Sequence, residues 1–371
     1  MDTIIKPDYY DEFVCTGADC PYTCCQEWDI NVDNKTLQKW QKLPVPSECS
    51  CQKGKLANHV ERNEDWYQIK FNSHNNCPFL DERNLCNVIK QYGDKNIPLT
   101  CQTFPRENHE FNNHMEKYLT PGCPVVLDLL WKRDKFRLNA DISDTDEIFK
   151  IRHTFFDLIS DNNYTIGDSL KGIFYIGHEL LDKSVLIEEI KSDIPALMKE
   201  IENVKGNLTD TIIERNELLL DIFSIYNEKG KYTDFIHDLI NYALVLEEED
   251  YQNINESYDK FIQENDFSKF LRLLMEEEIM SALITAETDT ISDIMIKLQW
   301  LALEYSVIIH SLFLYYHNEQ KIDYDTLKDT VTYIYRIMGY TNDDIYEYFT
   351  NSFEELIWPW GYFALVVSGG V

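Results

Sequence analysis

The sequence predicts a mainly α protein: an irregular cysteine-rich N-terminal metal-binding region followed by a helical bundle or array. Three observations predict it. All ten cysteines lie between Cys15 and Cys123. Eight of the eleven prolines precede Cys123, and proline interrupts helices. Beyond that point, apolar residues recur at three- and four-residue spacing, and strand patterns are scarce. Charge divides the chain at nearly the same place. The first 140 residues hold 20 Asp/Glu against 17 Lys/Arg, and the remainder hold 45 against 17. The expected organisation is a cysteine-rich metal or iron–sulfur domain over 1–135 and an acidic α-helical domain over 136–371.

Within the first region, short helices are expected at NKTLQKWQKL (34–43) and VVLDLLWKR (125–133), with loops between them. In the second, DISDTDEIFKIRHTFFDLI (141–159) opens with acids, which suits a helix N-terminus. LTDTIIERNELLLDIFSIYNEKG (208–230) places Ile212, Ile213, Leu219, Ile222, Phe223 and Tyr226 on an apolar face. Gly230 suits its C-terminal stop. Residues 232–318 hold about three more helices by the same periodicity. DTLKDTVTYIYRIMG (325–339) ends in glycine, and TNDDIYEYFTNSFEEL (341–356) opens with Thr341 and Asp344 in capping-box spacing.

The net charge of −31 argues against a nucleic-acid partner. An acidic surface would attract a basic protein, and the same charge also serves as a solvated helix face. The longest uncharged apolar run, near 305–316, is shorter than the roughly 18 residues of a membrane span. The N-terminus lacks a basic stretch followed by an apolar one, so a cytoplasmic protein without a membrane is expected. In a reducing cytosol, clustered thiols more often bind metal or do redox work than form disulfides. No GxGxxG after a strand, GxxxxGK[ST], HExxH, GxSxG or CxxxCxxC is present.

The thiols are arranged as CxxxCC (Cys20, Cys24, Cys25), the loop pair Cys49 and Cys51, then Cys77 in CPFL, Cys86 in NLCNVI, Cys101 in CQTFPR and Cys123 in TPGCPVV. Cys15 reads equally as a buried apolar residue. Thiolate suits zinc or iron–sulfur clusters. Adjacent cysteines do not easily share one tetrahedral zinc, and the ligands are spread over separate loops. Both features favour iron–sulfur, with zinc as the alternative.

CxxxCC, CPFLxxxxLC and CxxFPR together resemble a cysteine-rich family described as zinc- or iron-chelating. With CTGADCPYTCCQEWDI before them and YLTPGCPVV after, the region from 13 to about 131 resembles the flagellin lysine-N-methylase (FliB) family. That resemblance implies methyl transfer from S-adenosylmethionine to lysines of flagellin or a similar surface protein, and a [4Fe–4S] cluster. By position, it draws the cluster ligands from Cys20, Cys24, Cys25, Cys77, Cys86, Cys101 and Cys123. Cys49 and Cys51 depart from the shared pattern, which leaves a second site or an insertion open.

Arg106 is the candidate for the cofactor's carboxylate or the cluster sulfurs, a structural salt bridge being the alternative. Trp28, Phe79 and Phe104 are expected to shield the cluster. WPWGYF (358–363) reads as core packing or an aromatic cap, and His74, His109 and His114 as ordinary histidines or ligands. No catalytic base is identified. Two other functions fit the residues: a non-enzymatic zinc- or iron-binding interaction module, and a radical or redox enzyme using the cluster.

Overall fold

The apolar periodicity after residue 146 becomes helix almost throughout. A computed structural model describes residues 3–27, 29–63, 66–140, 146–204, 206–228, 230–319, 321–338 and 342–369. Trp28, Gly339 and Thr341 lie outside the described residues. In the N-terminal region, short helices α1 (Asn34–Trp40), α2 (Asn87–Tyr92), α3 (Leu99–Thr103) and α4 (Pro124–Trp131) are separated by loops. Then come α5 (Glu147–Ser160), α6 (Ile166–Lys183), α7 (Ile187–Ile190), α8 (Ile194–Ile201), α9 (Leu208–Glu228), α10 (Thr233–Leu244), α11 (Glu248–Glu264) and α12 (Phe267–Ser281). The last four are α13 (Ile291–Glu319), α14 (Tyr324–Ile337), α15 (Asn342–Phe353) and α16 (Trp360–Val367).

Local chemistry accounts for several boundaries. Asp33 caps α1 by accepting the Thr36 N–H at 2.8 Å. Asp323 caps α14 through the Thr326 N–H at 3.0 Å. Gly230 follows α9 at φ 65°, a left-handed conformation that costs glycine little. Ile212, Leu219, Ile222 and Phe223 of α9 are buried, whereas Ile213 is on the exposed side. The interval 232–318 holds four helices where three were expected, because 245–266 contributes a separate polar helix, α11.

Two sheets among the described residues were not foreseen. β1 (Thr3–Ile5) runs parallel to β5 (His114–Leu119), which pairs antiparallel with β4 (Arg106–Glu110), Arg106 opposite Leu119. The hairpin β2 (Val60–Asn63) and β3 (Trp66–Ile69) stands apart. Each strand is short, and much of the buried face of β4–β5 is polar, so the usual alternation is missing.

Two apolar clusters result among the described residues. The larger runs through the helices and includes Tyr9, Phe13 and Tyr118. Its spine is α13, buried on nearly every side and packed against α6, α9, α10, α14 and α16. The smaller gathers Ile30, Val32, Trp40, Leu56, Phe79, Val88 and Ile97 around the cysteine loops. Trp40 and Phe79 meet edge to face at 5.3 Å. WPWGYF falls in the larger core: Trp358 is buried against Phe349, Phe353 and Tyr362.

Candidate metal centre

The cysteine loops are knitted by their backbones. Cys77 N–H donates to Cys25 C=O at 2.8 Å, which joins the first two motifs. Leu80 and Cys86 form an antiparallel bridge, so CPFLDERNLC turns back on itself. The Asp81 carboxylate closes that turn by accepting the N–H groups of Arg83 and Leu85 at 2.8 and 2.9 Å and pairing with Lys90. Cys86 and Cys123 occupy the N-caps of α2 and α4, and Cys101 lies within α3.

This scaffold puts the thiols within electrostatic reach of one another. All ten cysteines are free. Cys24 and Cys25 share a hydrogen bond. Accepted by Cys24, it lowers the Cys24 pKa to about 7, helped by the Arg336 charge and opposed by burial. Cys25, the donor, is held well above the ordinary thiol range by that bond, by burial and by the charges of Cys24, Cys77 and Cys101. Burial also raises Cys101, with Cys77, Cys24 and Cys86 adding to it. Cys86 is raised by burial and then affected by Cys24. Cys77 is raised by burial, with added contributions from Cys86, Cys49 and Cys51. Cys24, Cys25, Cys77, Cys86 and Cys101 therefore form one group.

The remaining thiols fall around it. Cys49 and Cys51 hydrogen-bond each other, and burial pushes Cys49 up to about 11. Their influence on Cys77 attaches this pair to the central group. Cys123 and Cys20 form a flanking pair. Cys123 is pushed up to about 12, by burial first and then by Cys20. Cys20 is raised by burial, partly offset by Arg336, and senses Cys24. Cys15 is exposed, which corrects its reading as a buried apolar residue.

Among the described residues, no three His, Cys, Asp or Glu side chains stand at metal-binding geometry. The thiols are grouped at electrostatic rather than bonding distance. Their chemistry suits a soft metal: Cys77 is buried and Cys24, Cys25, Cys86 and Cys101 are half-buried, a setting in which most of the thiolates are disfavoured. A bound cation would reverse that penalty, because a coordinating thiol is deprotonated.

Arg336 of α14 is a site residue that the motifs did not reveal. It donates through Nε to Gly122 C=O at 2.8 Å, through Nη2 to Tyr22 C=O at 2.8 Å, and weakly to Thr23 C=O at 3.5 Å. One guanidinium thus clamps the CxxxCC loop and the TPGC turn to the helical region and lowers Cys24. The single sequence signal was an arginine in the last turn of a strongly amphipathic helix. Arg106 lies over the Phe13 ring at 4.8 Å and near Tyr10 at 6.0 Å. Phe79 packs in the small core and Phe104 against the large one. His74 is exposed, while His109 and His114 sit on the inner sheet face.

A mainly helical protein that gathers free thiols from several loops is the class that fold and site define. Comparison narrows it. The flagellar biosynthetic protein FliU of Salmonella muenchen is 33% identical over 125 residues, which cover 33% of this chain and 74% of that protein. The lysine-N-methylases of Salmonella typhimurium and Salmonella choleraesuis are each 33% identical, over 125 and 129 residues. The chain belongs to the family of these FliU and lysine-N-methylase (FliB) proteins. The match spans about a third of the length of the two lysine-N-methylases. No family profile and no solved structure matches the chain.

Proposed function

We propose that this chain is an S-adenosylmethionine-dependent protein-lysine N-methyltransferase acting in the cytoplasm on flagellin or a similar surface protein. The observation that carries the reading is its 33% identity to proteins named lysine-N-methylase. Among the described residues, no helix is long and apolar enough to cross a membrane, which fits that setting. The acidic composition suits a lysine-bearing partner.

In this reading Cys24, Cys25, Cys77, Cys86 and Cys101 supply the ligands of a [4Fe–4S] cluster, and Cys20 and Cys123 stand in reserve beside them. Held by only three of these cysteines, a bound cluster would leave one iron free to supply a Lewis acid for the amino and carboxylate groups of the methyl donor. The protein's share is structural and electrostatic. Cys24 is poised to ionise near neutrality. The small core of Trp40, Phe79 and Val88 keeps water from the loops. Arg336 holds the CxxxCC loop and offsets negative charge there.

The test is an anaerobic incubation with S-adenosylmethionine and flagellin that reads both cofactor products. Methyl-lysine with S-adenosylhomocysteine supports polar transfer. 5′-Deoxyadenosine indicates a radical enzyme instead. Absence of S-adenosylmethionine binding by calorimetry leaves a metal-binding interaction module.

A further inference from the structure

A cleft of about 510 Å³ opens beside the thiol loops. That volume falls within the roughly 300–1,000 Å³ of small-molecule sites. Three loops line it: residues 48 and 50, on either side of Cys49; residues 72 and 76–78, which include Cys77; and residues 80–84, the turn before Cys86. Arg106, the sequence candidate for the cofactor, does not line it.

Each wall is fixed by its own hydrogen bonds. Lys53 Nζ donates to the carbonyls of Ser47 at 2.9 Å and Cys49 at 2.6 Å, which pins the first loop. Asn72 Oδ1 accepts the His74 and Asn76 N–H groups at 2.9 and 3.2 Å, which closes the second. The Asp81 carboxylate closes the third turn and is neutralised by Lys90. A cleft held this way is shaped before any ligand arrives, so binding costs little ordering.

Its inner wall and its mouth differ in chemistry. Cys77 and Pro78 are buried, whereas Glu48, Ser50, Glu82, Arg83 and Asn84 are exposed and Asn76 is half-buried. Among the described residues, the side chains of Glu48, Ser50, Asn76, Glu82, Arg83 and Asn84 make no hydrogen bond or ion pair. Two free carboxylates against one guanidinium leave the mouth acidic. The amides and the hydroxyl add donors and acceptors that the fold does not use.

We propose that this cleft receives the methyl donor, its amino-acid end toward Cys77 and its nucleoside among the polar side chains at the mouth. The assignment rests on the methyltransferase reading for its occupant. A lone lysine side chain would leave most of the volume empty. Charge complementarity favours the donor over its product, because S-adenosylmethionine carries a sulfonium and S-adenosylhomocysteine does not. Glu48 and Glu82 attract that cation and accept hydrogen bonds from ribose hydroxyls. Asn76 and Asn84 each offer a donor and an acceptor to the adenine edge. Once the sulfonium charge is gone the attraction weakens, which helps the spent donor leave.

Calorimetry on the anaerobically purified full-length chain compares S-adenosylmethionine with S-adenosylhomocysteine. The ratio of the two affinities isolates the sulfonium charge, because the two ligands share everything but the methyl group. At physiological salt, charges beyond about 8 Å are screened, so the ratio reports groups at the site. Exposed ion pairs each contribute little, so Glu48→Gln and Glu82→Gln are combined. The double variant should lower the ratio about three- to tenfold, and Arg83→Gln, which removes the local positive charge, should raise it about twofold. All three side chains are exposed, so the variants should melt as wild type does. A ratio unchanged in both variants, or moving the same way in both, overturns the inference. Lysine methylation persisting in that case leaves the methyltransferase reading intact and puts the donor elsewhere. A wild-type chain that binds neither ligand and methylates no lysine sinks that reading, and this occupant with it.

Discussion

Replacing Arg336 by methionine tests how the helical region holds the thiol loops. The variant keeps a stem of similar bulk and removes two 2.8 Å bonds, to Gly122 and Tyr22 carbonyls, and the weaker one to Thr23. A hydrogen bond involving a charged group contributes about 1.5–3 kcal/mol. Arg336 is only half-buried, so water re-solvates part of what is lost, and the lower end applies to each strong bond. The expected cost is therefore about 3 kcal/mol. At roughly 2 °C per kcal/mol for a chain of this size, the melting temperature should fall by about 6 °C. The Cys24 pKa should also rise, because a charge that lowers it is gone. Arg336→Lys keeps the charge without the planar fork, so it should restore Cys24 more fully than stability. Scanning fluorimetry and the pH dependence of Cys24 alkylation measure both effects. An Arg336→Met variant melting within a degree of wild type, with unchanged Cys24 ionisation, would refute the clamp.

Other outcomes follow from the same geometry. Arg152→Met strands Glu116 without its buried cation and should cost about 3–5 kcal/mol; adding Glu116→Gln should recover much of it, read by urea unfolding. Between about pH 4.5 and 8 the native chain holds protons on Glu107, Glu277, Glu278 and Glu304 that the unfolded chain releases. Stability should therefore fall as pH rises through that window, and melting should be higher at about pH 6 than at about pH 8.5. In metal-free protein, Cys24 alkylation should rise with pH around a midpoint of about 7, which mass spectrometry can follow site by site; a midpoint near the ordinary ~8.5 would contradict the Cys25 bond.

The sequence disclosed what is periodic and hid what depends on distant partners. Helix α9 was legible because Ile212, Leu219, Ile222 and Phe223 repeat on one side; Ile213, one residue away, points elsewhere. β4 and β5 were hidden because their inner face carries Glu107, His109, Glu116 and Tyr118 in place of hydrophobes. The triplet Glu276–Glu278 resembled ordinary acidic composition, although its flanks, LRLL and IMSALI, are apolar. That contrast was a readable signal of buried acid. The cysteine motifs named the loops, but only the fold shows that Cys24, Cys25, Cys77, Cys86 and Cys101 feel one another while Cys20 and Cys123 pair at the side. Arg336 lies more than 300 residues from Tyr22, too far for any local pattern to connect them.

The most direct measurement is the metal and acid-labile sulfide content of anaerobically purified protein, with its visible spectrum. Brown protein carrying about four iron and four sulfide per chain, absorbing near ~400 nm and losing both with Cys24→Ser or Cys101→Ser, is the predicted result. Colourless protein with stoichiometric zinc, or iron retained after both substitutions, would contradict it.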